Sequence, residues 1–187
     1  MARFYLQLGR ILLVPEKGGV VEPSTAAASM VEMNELILPQ HANNLGTAFG
    51  GTIMSWIDVC AAMAASRHAR ATVVTASMDQ LDFIAGIHKG WMVNLKGMVN
   101  YVGRSSMEVG VRVEAEDLMT GRRVHAASAY LTFVALDEHG EPTQVRPLKL
   151  ESDAERLRER EAIARRQKRL ALAAERKIIA QSTGHHE

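Results

Sequence analysis

A single cysteine stands among the 187 residues. No disulfide can therefore form within the chain, and the usage fits a reducing compartment. Aromatic residues make up only 5% of the chain, against ten methionines, a composition ill suited to stacking nucleobases. Charge of one sign is also lacking. A formal net charge of +1 argues against a chain-wide nucleic-acid or membrane surface. No apolar run approaches the roughly 20 residues that span a bilayer. The short run Ile11-Leu12-Leu13-Val14 is too brief for a secretory core. The opening has no acid before Glu16, a feature it shares with transit peptides, but the cytoplasm is the expected location. What remains is 47% apolar and 23% charged, ample material for one globular domain with extensions.

The spacing of turn residues divides the chain. Residues 1–28 read as an extension, punctuated by Lys17-Gly18-Gly19 and Pro23-Ser24-Thr25. A domain over 29–150 follows, then a charged helix and a disordered tail over 151–187. Within the domain, a strand over 30–38 leads into a loop over 40–49. A helix begins at Gly50 or Gly51 and runs to about His68. Four strands follow over 72–83, 93–101, 107–115 and 124–136, read as a meander. Met107, Val109, Val111, Val113 and Ala115 alternate with Glu108, Arg112 and Glu114, the period of a half-buried strand. The run from Val124 to Leu136 is nearly continuous in apolar and small residues, as expected of an inner strand. One helix among strands predicts an α+β fold. Because that helix is apolar nearly all round, it should be wrapped by a curved antiparallel sheet. Ser152 and Glu155 form a capping box for the last helix. Its Leu157, Ile163, Leu170 and Ala174 give only a broken apolar stripe, so a mostly solvated helix is expected.

Chemistry concentrates around the central helix. Gly50 and Gly51 at its start leave backbone N–H groups free and open to close approach, the arrangement of an oxyanion hole. They would equally serve a tight loop-to-helix turn. Asp58 interrupts an apolar stretch from Ile53 to Ala65, and burying an unpaired carboxylate is costly, which points to function or strict pairing. Asn43 offers a donor for a carbonyl or a plain turn residue, and Asn44 competes for either role. Asp58 lies eight positions beyond Gly50, about 12 Å along a helix. A base must come within about 3 Å of what it serves. Two antiparallel copies of the helix would bring the glycine end of one to the aspartate of the other, which predicts a homodimer with shared sites.

As a set, Pro39, Ala42-Asn43, Gly46, Phe49-Gly50-Gly51 and Met54-Ser55-Trp56-Ile57-Asp58 resemble the acyl-CoA thioesterases of the hotdog fold. The likeness is greatest to the YciA-like bacterial and brain-type cytosolic acyl-CoA hydrolases. It continues through Ala65-Ser66-Arg67-His68, 74–79, 103–109 and 132–135. The resemblance implies Asp58 as general base or nucleophile, with Asn43 and the Gly50 N–H polarising the thioester carbonyl and Gly51 adjacent. It suggests a small hydroxyl on the strand after the helix, for which Ser77 is the candidate. It also assigns Arg104, Ser105 and Ser106 to the coenzyme A nucleotide of the substrate, where an ordinary polar hairpin is the alternative. A trimer of dimers is implied as well. His41, Ala85-Gly86 and Trp91 depart from the family pattern, so acyl-chain preference does not carry over.

The expectation is therefore hydrolysis of acyl-CoA with no cofactor, no metal, and no nucleic-acid or membrane partner. A thioester has a good leaving group, so a carboxylate and an oxyanion hole suffice. The alternative is a non-catalytic acyl-CoA-binding regulatory module. A dehydratase of the same fold would need a histidine near the helix start, and none stands from Phe49 to Thr52. Cys60, His68 and His125 are read as structural; His68 is placed to meet the helix C-terminal dipole.

Overall fold

Alternation of apolar residues over four long segments builds the sheet on which everything else rests. The computed structural model describes residues 22–183, so the first 21 residues of the expected extension and the expected tail at 184–187 lie outside the described residues. The order is β1 (Ser24–Thr25), α1 (Ala26–Ser29), β2 (Val31–Leu36), a 3₁₀ turn (Pro39–His41), α2 (Gly50–Ala69), β3 (Thr72–Phe83), β4 (Met92–Val102), β5 (Ser106–Asp117), β6 (Arg122–Leu136), β7 (Leu148–Lys149) and α3 (Asp153–Thr183). The long strands form one antiparallel sheet in the order β2-β4-β5-β6-β3.

That order corrects the meander. The strand after the helix, β3, pairs with β6, not with β4. The connection over 84–91 crosses to the far side, where Ile37 donates to Trp91 at 2.9 Å and Gly90 donates to Ile37 at 2.8 Å. β6 is flanked on both sides, by β5 and β3, in keeping with its apolar run.

The inner face of the sheet packs on α2. Val93, Leu95, Val99, Val109, Val113, Leu131 and Phe133 are fully buried, as are Ile57, Cys60, Ala61, Ala64 and Ala65 of the helix. Each large aliphatic side chain removed from water contributes roughly 1.5–3 kcal/mol. The helix uses small residues here, and the sheet answers with Gly97. A Cβ on Gly97 would lie 3.0 Å from Cys60 Sγ and 3.2 Å from the Cys60 carbonyl oxygen, so the glycine sets how close the two layers come.

α2 is not wrapped all round. A single five-stranded sheet covers one side of it and leaves Met54 (41% exposed), Val59 (48%) and Met63 (41%) open. Two further expectations shift. Ala26 and Ser29 are buried and β1 pairs in parallel with β7, so the folded unit takes in residues from Ser24 rather than from 29. The last helix also docks on its own domain, but not through its leucines: Leu157 and Leu170 are about half exposed.

Its arginines hold it. Arg165 grips Glu108 of β5 with two hydrogen bonds of 3.0 and 2.8 Å and stacks over the Tyr130 ring at 3.6 Å. Arg169 bonds Asp79 of β3 and Thr132 of β6. α3 therefore crosses the outer face of the sheet, opposite α2. The capping box forms as the sequence indicates: Ser152 N–H donates to Glu155 Oε2 at 3.1 Å and Glu155 N–H donates to Ser152 Oγ at 3.2 Å.

Candidate active site

The loop that precedes α2 is built from its own polar side chains. Asn43 Oδ1 accepts from the Leu45 N–H at 2.9 Å and the Thr47 N–H at 3.3 Å, and its amide donates to Thr47 Oγ1 at 3.0 Å. Gly46 closes the turn with φ +74°, a conformation that favours glycine. Of the two readings for Asn43, the turn role is visible. The side chain is exposed, and an amide NH₂ has two donors, so one remains for a ligand. Asn44 is exposed at the tip.

Phe49 is the residue before the first helical turn. Its carbonyl accepts from Thr52 and Ile53, and the Gly50 and Gly51 N–H groups have no acceptor among the described residues. The two glycines differ. A Cβ on Gly51 would come 2.6 Å from the Phe49 ring, whereas one on Gly50 would make an ordinary 3.6 Å contact with Phe83. Gly51 is small because Phe49 folds over it. Gly50 instead faces a groove of about 300 Å³ lined by Thr47, Ile53, Phe83, Gly86 and Ile87, a mostly apolar cleft ending at free helix N–H groups.

Asp58 sits midway along α2 beside the open stripe, half-buried rather than enclosed. Among the described residues one hydrogen bond holds it: Thr75 Oγ1 donates to Asp58 Oδ1 at 2.8 Å. Thr75, and not the candidate Ser77, is the hydroxyl that reaches Asp58. The reason is a β-bulge. Thr75 pairs with Phe133 but Ser77 pairs with Thr132, so one extra residue turns Thr75 toward the helix and Ser77 to the outer face. Ser77 Oγ donates to Asp79 Oδ1 at 2.5 Å, in the network that anchors Arg169. Strict alternation would have placed both hydroxyls on one face, and nothing in the sequence announces the bulge.

The Arg104-Ser105-Ser106 turn joins β4 to β5. Gly103 N–H donates to the Ser106 carbonyl at 2.7 Å, and Val145 N–H to the Arg104 carbonyl at 2.9 Å. Arg104 is exposed, while Ser105 is 2% exposed with a hydroxyl that lacks a partner among the described residues. The turn lies at the opposite end of α2 from Gly50, because Arg146, next to Val145, meets His68 at 3.0 Å. Gly50 and His68 are about 27 Å apart along the helix, so one chain does not bring the turn to the groove. His68 does not serve as a cation on the helix dipole. It is buried, and desolvation lowers its pKa below the usual histidine value, which keeps the imidazole neutral. Cys60 is inert for a related reason: burial raises its pKa to about 11, leaving little thiolate at neutral pH. The described residues contain no cluster of three or more metal-ligating side chains, and none of their helices is long and apolar enough to cross a membrane.

A curved antiparallel sheet laid on one long helix, with the helix end opening on a groove, is the hotdog architecture. Residues 45–121 match the model of the thioesterase superfamily. The uncharacterized acyl-CoA thioester hydrolase YkhA of Bacillus subtilis is 44% identical over 141 residues, 75% of this chain and 82% of that protein. The cytosolic acyl coenzyme A thioester hydrolase of rat is 33% identical over 73% of the chain, which spans 36% of that longer protein. An acyl-CoA hydrolase from Staphylococcus aureus, solved with butyryl coenzyme A, coenzyme A and coenzyme A disulfide, superposes with a TM-score of 0.79 at 38% identity, covering 87% of this chain and 99% of its own. A hexameric acyl-CoA thioesterase superposes equally well, at 0.79 and 38%, over 82% and 99%. The chain belongs to the acyl-CoA thioester hydrolases of the thioesterase superfamily.

Three solved variants of the Staphylococcus protein replace an asparagine, an aspartate and a threonine by alanine. The asparagine precedes the aspartate by 15 positions and the threonine follows it by 17. Asn43, Asp58 and Thr75 have the same spacing.

Proposed function

We propose that the protein hydrolyses acyl-CoA to the free acid and coenzyme A at sites shared between two subunits. Asp58 of one subunit activates water or attacks the thioester carbon, with Thr75 fixing its carboxylate. The Gly50 N–H and the Asn43 amide of the other subunit polarise the carbonyl oxygen, and Gly51 completes that turn. The apolar groove beside Gly50 takes the acyl chain. The Arg104-Ser105-Ser106 turn meets the nucleotide of coenzyme A, with the guanidinium suited to phosphate. Ser77 has no part in the reaction. The thioester is activated enough for these groups to act without a cofactor.

The observation that carries this reading is the Thr75–Asp58 bond beside an uncovered apolar stripe. A helix with open Met54, Val59 and Met63 calls for a second cover, and β3, which carries Thr75, is an unpaired sheet edge on which a second copy can add. An antiparallel copy of α2 on that stripe carries the Gly50 end of one chain toward Asp58 of the other. The hexameric relative supports self-association, and a trimer of dimers fits it. The cytosolic relative, with the single buried thiol, supports a cytoplasmic enzyme.

Subunit complementation tests the shared site. Asp58→Asn and Asn43→Ala are each purified, unfolded together, refolded and assayed. Shared sites give one intact site per mixed dimer, hence about a quarter of wild-type activity from two inactive parents under random pairing. Sites confined to one chain give no recovery, which would refute the arrangement.

A further inference from the structure

Lys96, Arg112 and Arg158 surround a groove of about 260 Å³ on the outer face of the sheet, away from α2. Asn100, Ser128 and Tyr130 complete its polar lining. The charges there do not balance. Glu114 serves both Lys96, at 3.8 Å, and Arg112, at 3.0 Å. Arg158 of α3 is half-buried, yet its side chain has no hydrogen bond or ion pair among the described residues. Arg165 and Arg169 on the same helix each have a carboxylate, Glu108 and Asp79. Lys96, Arg112 and Arg158 outnumber the one carboxylate that bridges them, and a half-buried guanidinium without a partner is placed to meet an anion.

Asn100 forms the floor over Gly110. Gly110 has no side chain because the Asn100 amide nitrogen occupies the space, 2.5 Å from where a Cβ would stand. Asn100 is held there by Glu108 at 3.3 Å, so the docking of α3 through Arg165 and the shape of the groove are linked. The volume lies just below the usual range of small-ligand sites, too little for a whole acyl-CoA.

We infer that this groove is a second anion site, which takes a small phosphate-bearing molecule of at least two negative charges. A guanidinium fork beside an ammonium group matches phosphate oxygens. A ligand bridging Arg158 of α3 to Lys96 of β4 and Arg112 of β5 ties the helix to the sheet. It lies across the sheet from Asp58, so it adds to substrate binding and does not compete with it.

Pyrophosphate is the probe, titrated calorimetrically into the full chain at low ionic strength, with melting followed in parallel. The expected result is one site per chain and a raised Tm. Arg158→Gln and, independently of the helix, Lys96→Gln weaken binding at least tenfold while the ligand-free Tm stays near wild type. Arg160→Gln, an exposed arginine of the same helix, and Arg104→Gln leave it within twofold. No binding to the wild type overturns the assignment. So does equal weakening by Arg160→Gln, which reports diffuse charge. Loss confined to Arg104→Gln also overturns it, by placing the probe at the coenzyme A turn.

Discussion

Replacing Asp58 by Asn changes one atom and removes a charge from the proposed reaction centre, so the size of its effect can be worked out in advance. The side-chain oxygen that accepts from Thr75 at 2.8 Å is retained in the amide. Asp58 is only half-buried, so the change in folding stability stays within about 1 kcal/mol. Catalysis loses a general base or nucleophile, at least about a hundredfold in kcat, or about 2.7 kcal/mol of transition-state stabilisation. Thr75→Ala removes the bond that orients the carboxylate. Water reaches the site and offsets part of the loss, so the drop is about tenfold. In the proposed mechanism Thr75 is a positioning residue that acts through Asp58. The double variant should therefore be no slower than Asp58→Asn, and the coupling between the two should nearly equal the whole effect of Thr75→Ala. Release of coenzyme A followed with a thiol reagent gives kcat and KM for all four proteins. Wild-type-like turnover by Asp58→Asn would refute the assignment. Simple multiplication of the two single losses would refute the positioning role and leave Thr75 acting on substrate by its own route.

Other outcomes follow from the packing. Gly97→Ala should destabilise by about 1–3 kcal/mol in chemical denaturation, since the new methyl meets the α2 backbone at Cys60. Arg165→Met should cost about 3 kcal/mol, because Glu108 is left 4% exposed without its guanidinium; thermal melts of Arg165→Met against Arg165→Met/Glu108→Gln, which should recover much of the loss, check the cause. The lowered pKa of His68 means that the unfolded chain takes up a proton first as pH falls. Its contribution is complete above the unfolded value near 6.5 and is lost below it, so the acid-side slope of stability should flatten in His68→Gln. Cys60 works in the opposite direction. With its pKa raised to about 11, its stabilising effect is present below pH 9 and declines from there toward 11. The native protein should resist thiol reagents at pH 8 until it is denatured.

The sequence determined the elements, because periodicity is a local property. The turn residues, the half-buried alternation over 107–115, the apolar helix opened by two glycines and the Ser152–Glu155 cap were each legible from neighbouring residues. The helical rise alone was enough to show that Gly50 and Asp58 cannot meet on one copy of the helix. Only the tertiary structure decided what depends on distant partners. β3 pairs with β6 across the sheet, and a bulge in that pairing sends Thr75 inward and Ser77 outward. Both hydroxyls look alike in a strand read by period two; the bulge exists because of how two strands register. The last helix makes the same point. Its broken apolar stripe suggested a mostly solvated helix, but its arginines find carboxylates, since Glu108 and Asp79 lie on strands far away in sequence. Asp58 faces a side the sheet leaves open, because one sheet covers only half of a helix.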